Sequence, residues 1–306
     1  MSTFKLTILG SSAALPAYGR FTSSQYLVIQ NNHFLIDCGE GCQQQLKRFE
    51  LSTYKINNIF ISHLHGDHYL GLMGLLFSMH LLRREHDLHL YSFRGLEEII
   101  LIQLKHSRSV LRFQIIFHSL QEGVSELLLD DESVTVHTIP LDHKIPTCGF
   151  LFREKQKSRR INKEKLPGNM SIQHIAQLKK GEDVFNEKHQ LLYRCEEYTL
   201  PPRPSRSYAY CSDSQPTERI LPLIKSIDLL YHEATFQEDE KDKARETKHS
   251  TAAEAAEIAR QANVKKLLIG HFSARYKILT PVLEEALKIF PTTALAIEGE
   301  SFEITD

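Results

Sequence analysis

Asn57–Leu72 reads NNIFISHLHGDHYLGL: an apolar run, then three histidines and an aspartate within six positions, then glycine and more apolar residues. A strand that simply turns into a helix has no structural need for so many ligand-type side chains at the turn. In an extended chain, residues two apart point to the same side, so His63 and His65 can face one ion. The bend at Gly66 then lets Asp67 and His68 face a second ion close by. Imidazole and carboxylate are the donors that zinc and similar divalent metals take. The stretch therefore reads as strand, metal-binding loop and helix, and the rest of the chain is read outward from it.

A site for two metals needs further donors, and strand-like runs elsewhere end in them. VHTIPLDH carries His143, YAYCSD carries Asp213 and KKLLIGHF carries His271. Asp213 is suited to bridge, because a carboxylate has two oxygens. The first third of the chain is strand-like (FKLTILGS, SQYLVIQ, HFLIDCG, NNIFISH), with Asn31 and Asn32 placed as a hairpin turn. Helical spacing follows in GLMGLLFSMHLLRR and GLEEIILIQLKHSR, then strands LHLYSF, FQIIFHS, SVTVHTIPL and CGFLFRE. Later come SYAYCSD, IDLLYHEAT, the helix TAAEAAEIARQA, the strand KKLLIGHF, the helix PVLEEALKIF and a final strand ALAIEGESFEI. Strands in the first half and mixed elements afterwards predict an α/β protein of two packed sheets flanked by helices.

Between Arg153 and Pro204 this regular pattern lapses. The segment 153–204 collects KQKSRRINKEK, LPGN, LKKGED and LPPRP, and strand signals on both sides make it an insertion into a single domain spanning 1–306. Formal net charge is −1, so no global basic field draws a polyanion, and any such partner must be held by a local cluster. Cys38, Cys42, Cys148, Cys195 and Cys211 are scattered and odd in number, which gives neither a disulfide framework nor a zinc knuckle. Apolar runs such as LGLMGLLFSMHLL fall short of the roughly 20 residues a membrane span needs. MSTFKLTILG lacks the pattern of a secretion signal, so no membrane association and a cytoplasmic location are expected.

HLHGDH with the later His143, Asp213 and His271 resembles the metallo-beta-lactamase fold, an αββα four-layer sandwich of two mixed sheets. YHEATF with Glu233, KHSTAAEAA with His249, and GHFSARY with Ser273 and Arg275 narrow the resemblance to tRNase Z, the endoribonuclease that matures tRNA 3′ ends. The resemblance runs from LTILGSSAALP to the last strand, and the length is similar to the short form of that family. It implies two Zn²⁺ per subunit: His63, His65 and His143 on one, Asp67, His68 and His271 on the other, and Asp213 between them. Asp67 would also orient or deprotonate the attacking water. Glu233 would hold His249 as the proton donor to the leaving oxygen, while Thr251 and Glu254 form a capping box next to it. Ser273 and Arg275 would anchor a substrate phosphate.

The same resemblance gives the insertion a role, as a flexible arm that grips precursor tRNA, with Lys179 and Lys180 in LKKGEDV at one of its ends. It also implies a homodimer. Two departures stand out. NMSIQHIAQ is nearly free of the Gly and Pro that family arms carry and is expected to be partly helical, and PAYGRF stands where the family has P-x-K-x-R-N. The latter keeps Pro16 and Arg20, a candidate substrate contact, but has Tyr18 and Phe21 for Lys and Asn. A lactonase, thiol-ester hydrolase or beta-lactamase would keep HLHGDH but have no use for a basic arm; a small-molecule phosphodiesterase is the nearer alternative, because the same metals cleave any accessible phosphodiester.

Overall fold

The computed structural model describes residues 3–305. One seven-stranded sheet has the order Ser301–Glu303, Phe4–Gly10, Ser24–Ile29, Asn32–Cys38, Ile56–Phe60, Leu88–Ser92, Ile115–Ser119. The second has the order Thr293–Leu295, Lys266–Gly270, Leu229–Glu233, Ser207–Cys211, Cys148–Glu154, Val134–Pro140, Leu127–Asp130. Both are mixed, with parallel pairing where helical crossovers intervene and antiparallel pairing at the hairpins.

Alternation along the strands explains the layering. Phe150, Phe152, Tyr208 and Tyr210 point into a core shared with Leu6, Ile8, Phe34 and Phe60 of the other sheet. Phe34 meets Phe152 at 5.4 Å and Phe60 meets Phe150 at 5.2 Å between ring centroids. Their neighbours Leu151, Ala209 and Cys211 point the other way, onto Ala252, Ala255, Ala256 and Ala259 of the helix Ala252–Gln261. The first sheet is covered in the same manner by Cys42–Arg48, Leu72–Leu81 and Leu96–His106. Helices, sheet, sheet and helices make four layers.

Two expectations need correction, and one strand was not expected. The hairpin turn falls at Gln30 and Asn31, because Ile29 pairs with Asn32, whose amide is held in place by Asp131 and Ser133. Gln30, not an asparagine, takes the left-handed φ of 56°. The run read as one final strand is two, Thr293–Leu295 in the second sheet and Ser301–Glu303 in the first. The chain crosses between sheets at Gly299, whose φ of 86° suits glycine. Leu127–Asp130 is a strand that carries too few alternating residues to have been read as one.

By internal contacts the chain divides into two compact units, one running through Arg153 and resuming over Ser207–Thr305, the other Glu154–Arg206. The second has its own small core of Met170, Leu178, Val184 and Cys195. Its centre is the helix Ile172–Lys180, begun by the Ser171 hydroxyl accepting from the His174 N–H and ended by Gly181 at φ 94°. The helical expectation for this stretch thus holds. Among the described residues no helix is long and apolar enough to cross a membrane.

Candidate metal centre

The strand Ile56–Phe60 delivers His63 and His65, and the short helix Gly66–Tyr69 delivers Asp67 and His68. Gly71 seals this turn: its N–H donates to the Cys38 carbonyl, and a side chain there would begin 2.1 Å from the Gly39 carbonyl oxygen. His143 follows Val134–Pro140, Asp213 follows Ser207–Cys211 and His271 follows Lys266–Gly270. Asp213 and His271 both take left-handed φ values, 38° and 56°, a cost that the surrounding hydrogen bonds must hold in place.

These side chains gather into two groups, His63, His65, His143 and Asp213 in one, Asp67, His68 and His271 in the other, each with donor atoms within 4.8 Å of one another. The two oxygens of Asp213 divide between them. Oδ2 lies 3.6 Å from His63 Nε2 and 3.9 Å from His143 Nε2, while Oδ1 lies 3.2 Å from His68 Nε2 and 3.3 Å from His271 Nε2. Electrostatics follow the crowding. Burial and the neighbouring His68 push His63 well below its ordinary pKa, although Asp213 opposes. Burial opposes ionisation of Asp213, but His271, His68 and His63 hold it well below the carboxylate range.

The far atoms of the rings are tied to protein. His143 Nδ1 donates to the Lys248 carbonyl at 3.0 Å, and His271 Nδ1 to Thr235 Oγ1 at 2.9 Å, because that hydroxyl itself donates to Glu233. His68 Nδ1 donates to Asp37 Oδ2 at 2.7 Å, and Asp37 further accepts from Ser62 and the Tyr210 hydroxyl. Each of these contacts fixes a tautomer and leaves Nε2 free to bind a metal. Among the described residues His68 Nε2 is buried with no hydrogen-bond partner, an orphan that a metal would satisfy. The donor set and this orphaned atom fit divalent cations. Asp37 and Thr235 were not assigned from sequence; Asp37, a carboxylate at the buried end of an apolar strand, carried the signal.

Beside the donors, Glu233 is fully buried and accepts from the Ser214 N–H at 2.6 Å, from Thr235 and from His249 Nδ1 at 2.8 Å. Burial works against charging His249, but Glu233, Asp213 and Asp67 raise its pKa to about 9. Its ring stands 5.0 Å from that of His143 and 5.5 Å from that of His271. The capping box of Thr251 and Glu254 is present just beyond it.

A cavity of about 660 Å³ opens over the donors, lined by His65, Asp67, His143, Asp213, His249 and His271 with Ser273 and Arg275 at its edge. Arg275 pairs with Glu240 and lies over the Phe236 ring at 5.1 Å. Arg20 departs from its expected place as a substrate contact. It is 7% exposed, is not part of the cavity lining, and its guanidinium donates to the Tyr276 carbonyl at 2.7 Å. Lys179 and Lys180 stand within the insertion, where with Lys157 and Arg159 they line a recess of about 540 Å³.

Two mixed sheets between helices, with paired His/Asp clusters at the strand ends, define a metal-binding hydrolase of the metallo-beta-lactamase fold. Ribonuclease Z of Cytophaga hutchinsonii is 50% identical over 99% of this chain and 97% of its own, and that of Bacteroides thetaiotaomicron is 44% identical over 100% and 97%. Human tRNase Z, short form, superposes with a TM-score of 0.72 at 27% identity, over 99% of this chain and all of the human one. A metallo-beta-lactamase fold protein of Bacillus subtilis shares the fold with a TM-score of 0.69 at 19% identity, over 99% of this chain and all of its own. A family model described as anti-Pycsar protein Apyc1 matches residues 4–154. The chain belongs to the ribonuclease Z family of hydrolytic endoribonucleases.

Proposed function

We propose that this protein removes 3′ trailers from precursor tRNA as a two-zinc phosphodiesterase, cutting near the discriminator base and acting in the cytoplasm as a homodimer. Family membership supports the nuclease activity and the tRNA substrate. The observation that carries the mechanism is the Glu233–His249 pair set against the two donor clusters. His63, His65 and His143 would hold one ion, Asp67, His68 and His271 the other, and Asp213 would contact both. Bound divalent cations supply Lewis-acid polarisation of the phosphodiester and an acidified water.

The chain's own side chains do the rest. Asp67 is fixed by the Ala14 N–H, which donates to its Oδ2 at 2.8 Å, and can orient the attacking water and take its proton. His249, kept protonated by Glu233, gives its Nε2 proton to the departing O3′ as the P–O3′ bond breaks. The products are a tRNA with a 3′-hydroxyl and a trailer with a 5′-phosphate. Ser273 and Arg275 sit at the cavity edge to receive a flanking phosphate, and Lys179 and Lys180 in the insertion would grip the tRNA body.

The test is cleavage of a precursor tRNA carrying a 3′ trailer, after chelation and again after zinc is restored, with both product ends mapped. Zinc-dependent cutting at or beside the discriminator, leaving a 3′-hydroxyl, is expected. No cut by protein that holds two metals and hydrolyses a simple phosphodiester would overturn the substrate assignment.

A further inference from the structure

The crossover between the two sheets carries Glu298, a half-buried carboxylate with no place in the chemistry described above. Its Oε1 accepts three hydrogen bonds, from the Ser11 N–H at 3.1 Å, the Ser11 hydroxyl at 3.0 Å and the Phe21 N–H at 3.2 Å. Ser11 and Phe21 are the two ends of one loop, which the Ser11 and Ser12 N–H groups close further on the Phe21 carbonyl. The middle of that loop forms a wall of the active-site cavity through Ala13, Ala14 and Leu15. We propose that Glu298 is a positioning residue for the metal centre, gripping both ends of the loop 11–21 so that Ala14 presents its N–H to Asp67.

Three observations converge on this role. Ala14 sits at φ 62°, a left-handed conformation that an alanine adopts only when its surroundings impose it, and it is there that its N–H meets Asp67 Oδ2 at 2.8 Å. The same loop is stitched to the chain just after His271, since the Ala13 N–H donates to the Phe272 carbonyl at 2.9 Å and the Phe272 N–H to the Ser11 carbonyl at 2.8 Å. Arg20, next to Phe21, reaches Tyr276 in that same following segment. One carboxylate thereby braces the neighbours of two donors, Asp67 and His271, that come from opposite sheets. Three donors on a single charged oxygen make the grip directional.

Without Glu298 the Phe21 N–H loses its acceptor and the loop is free to relieve the strain at Ala14. Asp67 then keeps its chemistry but loses the backbone contact that aims it. Contacts of this kind, one step removed from a metal, change affinity by roughly 10- to 100-fold. The role rests on the proposed metal centre but not on tRNA as substrate.

The experiment compares Glu298→Ala and Glu298→Gln with the unaltered protein, reading zinc affinity by competition with a chromogenic chelator, kcat and KM on a small chromogenic phosphodiester, and melting of the chelated protein. Glu298→Ala is expected to weaken zinc binding by roughly 10-fold or more and to lower kcat by a similar factor with KM nearly unchanged. Glu298→Gln, which keeps an acceptor oxygen, is expected to recover most of both. Ala14→Pro leaves residue 298 intact but removes the donor and, because proline cannot adopt φ 62°, also displaces the loop, so it should reproduce the loss of zinc affinity even if Glu298→Ala folds poorly. Normal zinc affinity and kcat in folded Glu298→Ala, a glutamine variant no better than alanine, or normal zinc affinity in Ala14→Pro would each overturn the proposal. Failure to cut precursor tRNA alongside normal turnover of the small phosphodiester would instead count against the substrate, since zinc affinity is read without RNA.

Discussion

At the strand ends of the two sheets, His68, His143 and His271 each have one ring nitrogen tied to Asp37, the Lys248 carbonyl or Thr235, so the other is aimed to within a hydrogen bond's tolerance. In the unit Glu154–Arg206, Lys179 and Lys180 end a helix with their side chains exposed, over a core of only a few apolar residues. The first region holds its functional atoms by enclosing them; the second offers charge and leaves it loosely held. Metal chemistry tolerates little misplacement, whereas attraction between a lysine and a phosphate falls off gently with distance. Substitutions in the two regions should therefore fail differently.

The largest effect is expected in the first region. His65→Ala or Asp67→Ala should lower cleavage more than about a thousandfold, because several kcal/mol of metal polarisation are lost, while a filter-binding measurement shows tRNA affinity largely intact. Parallel loss of binding would mean that the two regions are not separable. Next is His249→Ala, expected to slow cleavage by about 10²- to 10⁴-fold with the metal content unchanged. Metal analysis is decisive here, because His249 also lies within donor distance of Asp213 and His271. A variant short of one metal would make it a ligand rather than a proton donor, and a normal rate would remove it from the mechanism.

This contrast also explains what could be read from the sequence. HLHGDH, His143, Asp213 and His271 were legible because few residue types serve a metal and each stands where an apolar run stops. The four layers were legible because period-two alternation and helical spacing record which faces are buried. Thr235 escaped because a hydrogen bond to the back of a ring leaves no spacing pattern, and Asp37 left only the faint mark of a carboxylate at the buried end of an apolar strand. Arg20 was placed toward substrate by its motif, yet it turns inward to the Tyr276 carbonyl, a contact 256 residues away that no local pattern encodes. The run ALAIEGESFEI read as one strand because its alternation continues through the crossover that Gly299 permits.

In the second region, deletion of residues 156–194 should weaken precursor tRNA binding by about tenfold or more and flatten its salt dependence, since fewer phosphates are neutralised. Hydrolysis of a small phosphodiester should change little. Equal losses on both substrates would show that the insertion supports the site rather than the RNA.

The mildest and most local effect concerns how that unit is closed. Its first and last residues, Glu154 and Arg206, form a buried two-pronged ion pair, with Arg206 Nε 2.7 Å from Oε2 and an Arg206 terminal nitrogen 2.6 Å from Oε1, and Lys157 adds a further contact at 2.9 Å. Burial alone would raise the Glu154 pKa, but Arg206 and Lys157 hold it below its ordinary value of 4.5. A carboxyl depressed in the folded state contributes stability that is present above its unfolded pKa and is lost as pH falls through the folded one. Hydrogen exchange within 154–206 should therefore quicken as pH drops below about 4.5, after correction for the intrinsic exchange rate. Glu154→Gln should exchange faster already at neutral pH, because the arginine keeps its burial and loses its counter-charge, and should show no such acid dependence. Turnover of a small phosphodiester should be untouched, with only a modest loss in tRNA affinity. If acid quickens exchange equally in both proteins, the insertion is closed by its small apolar core and not by this pair.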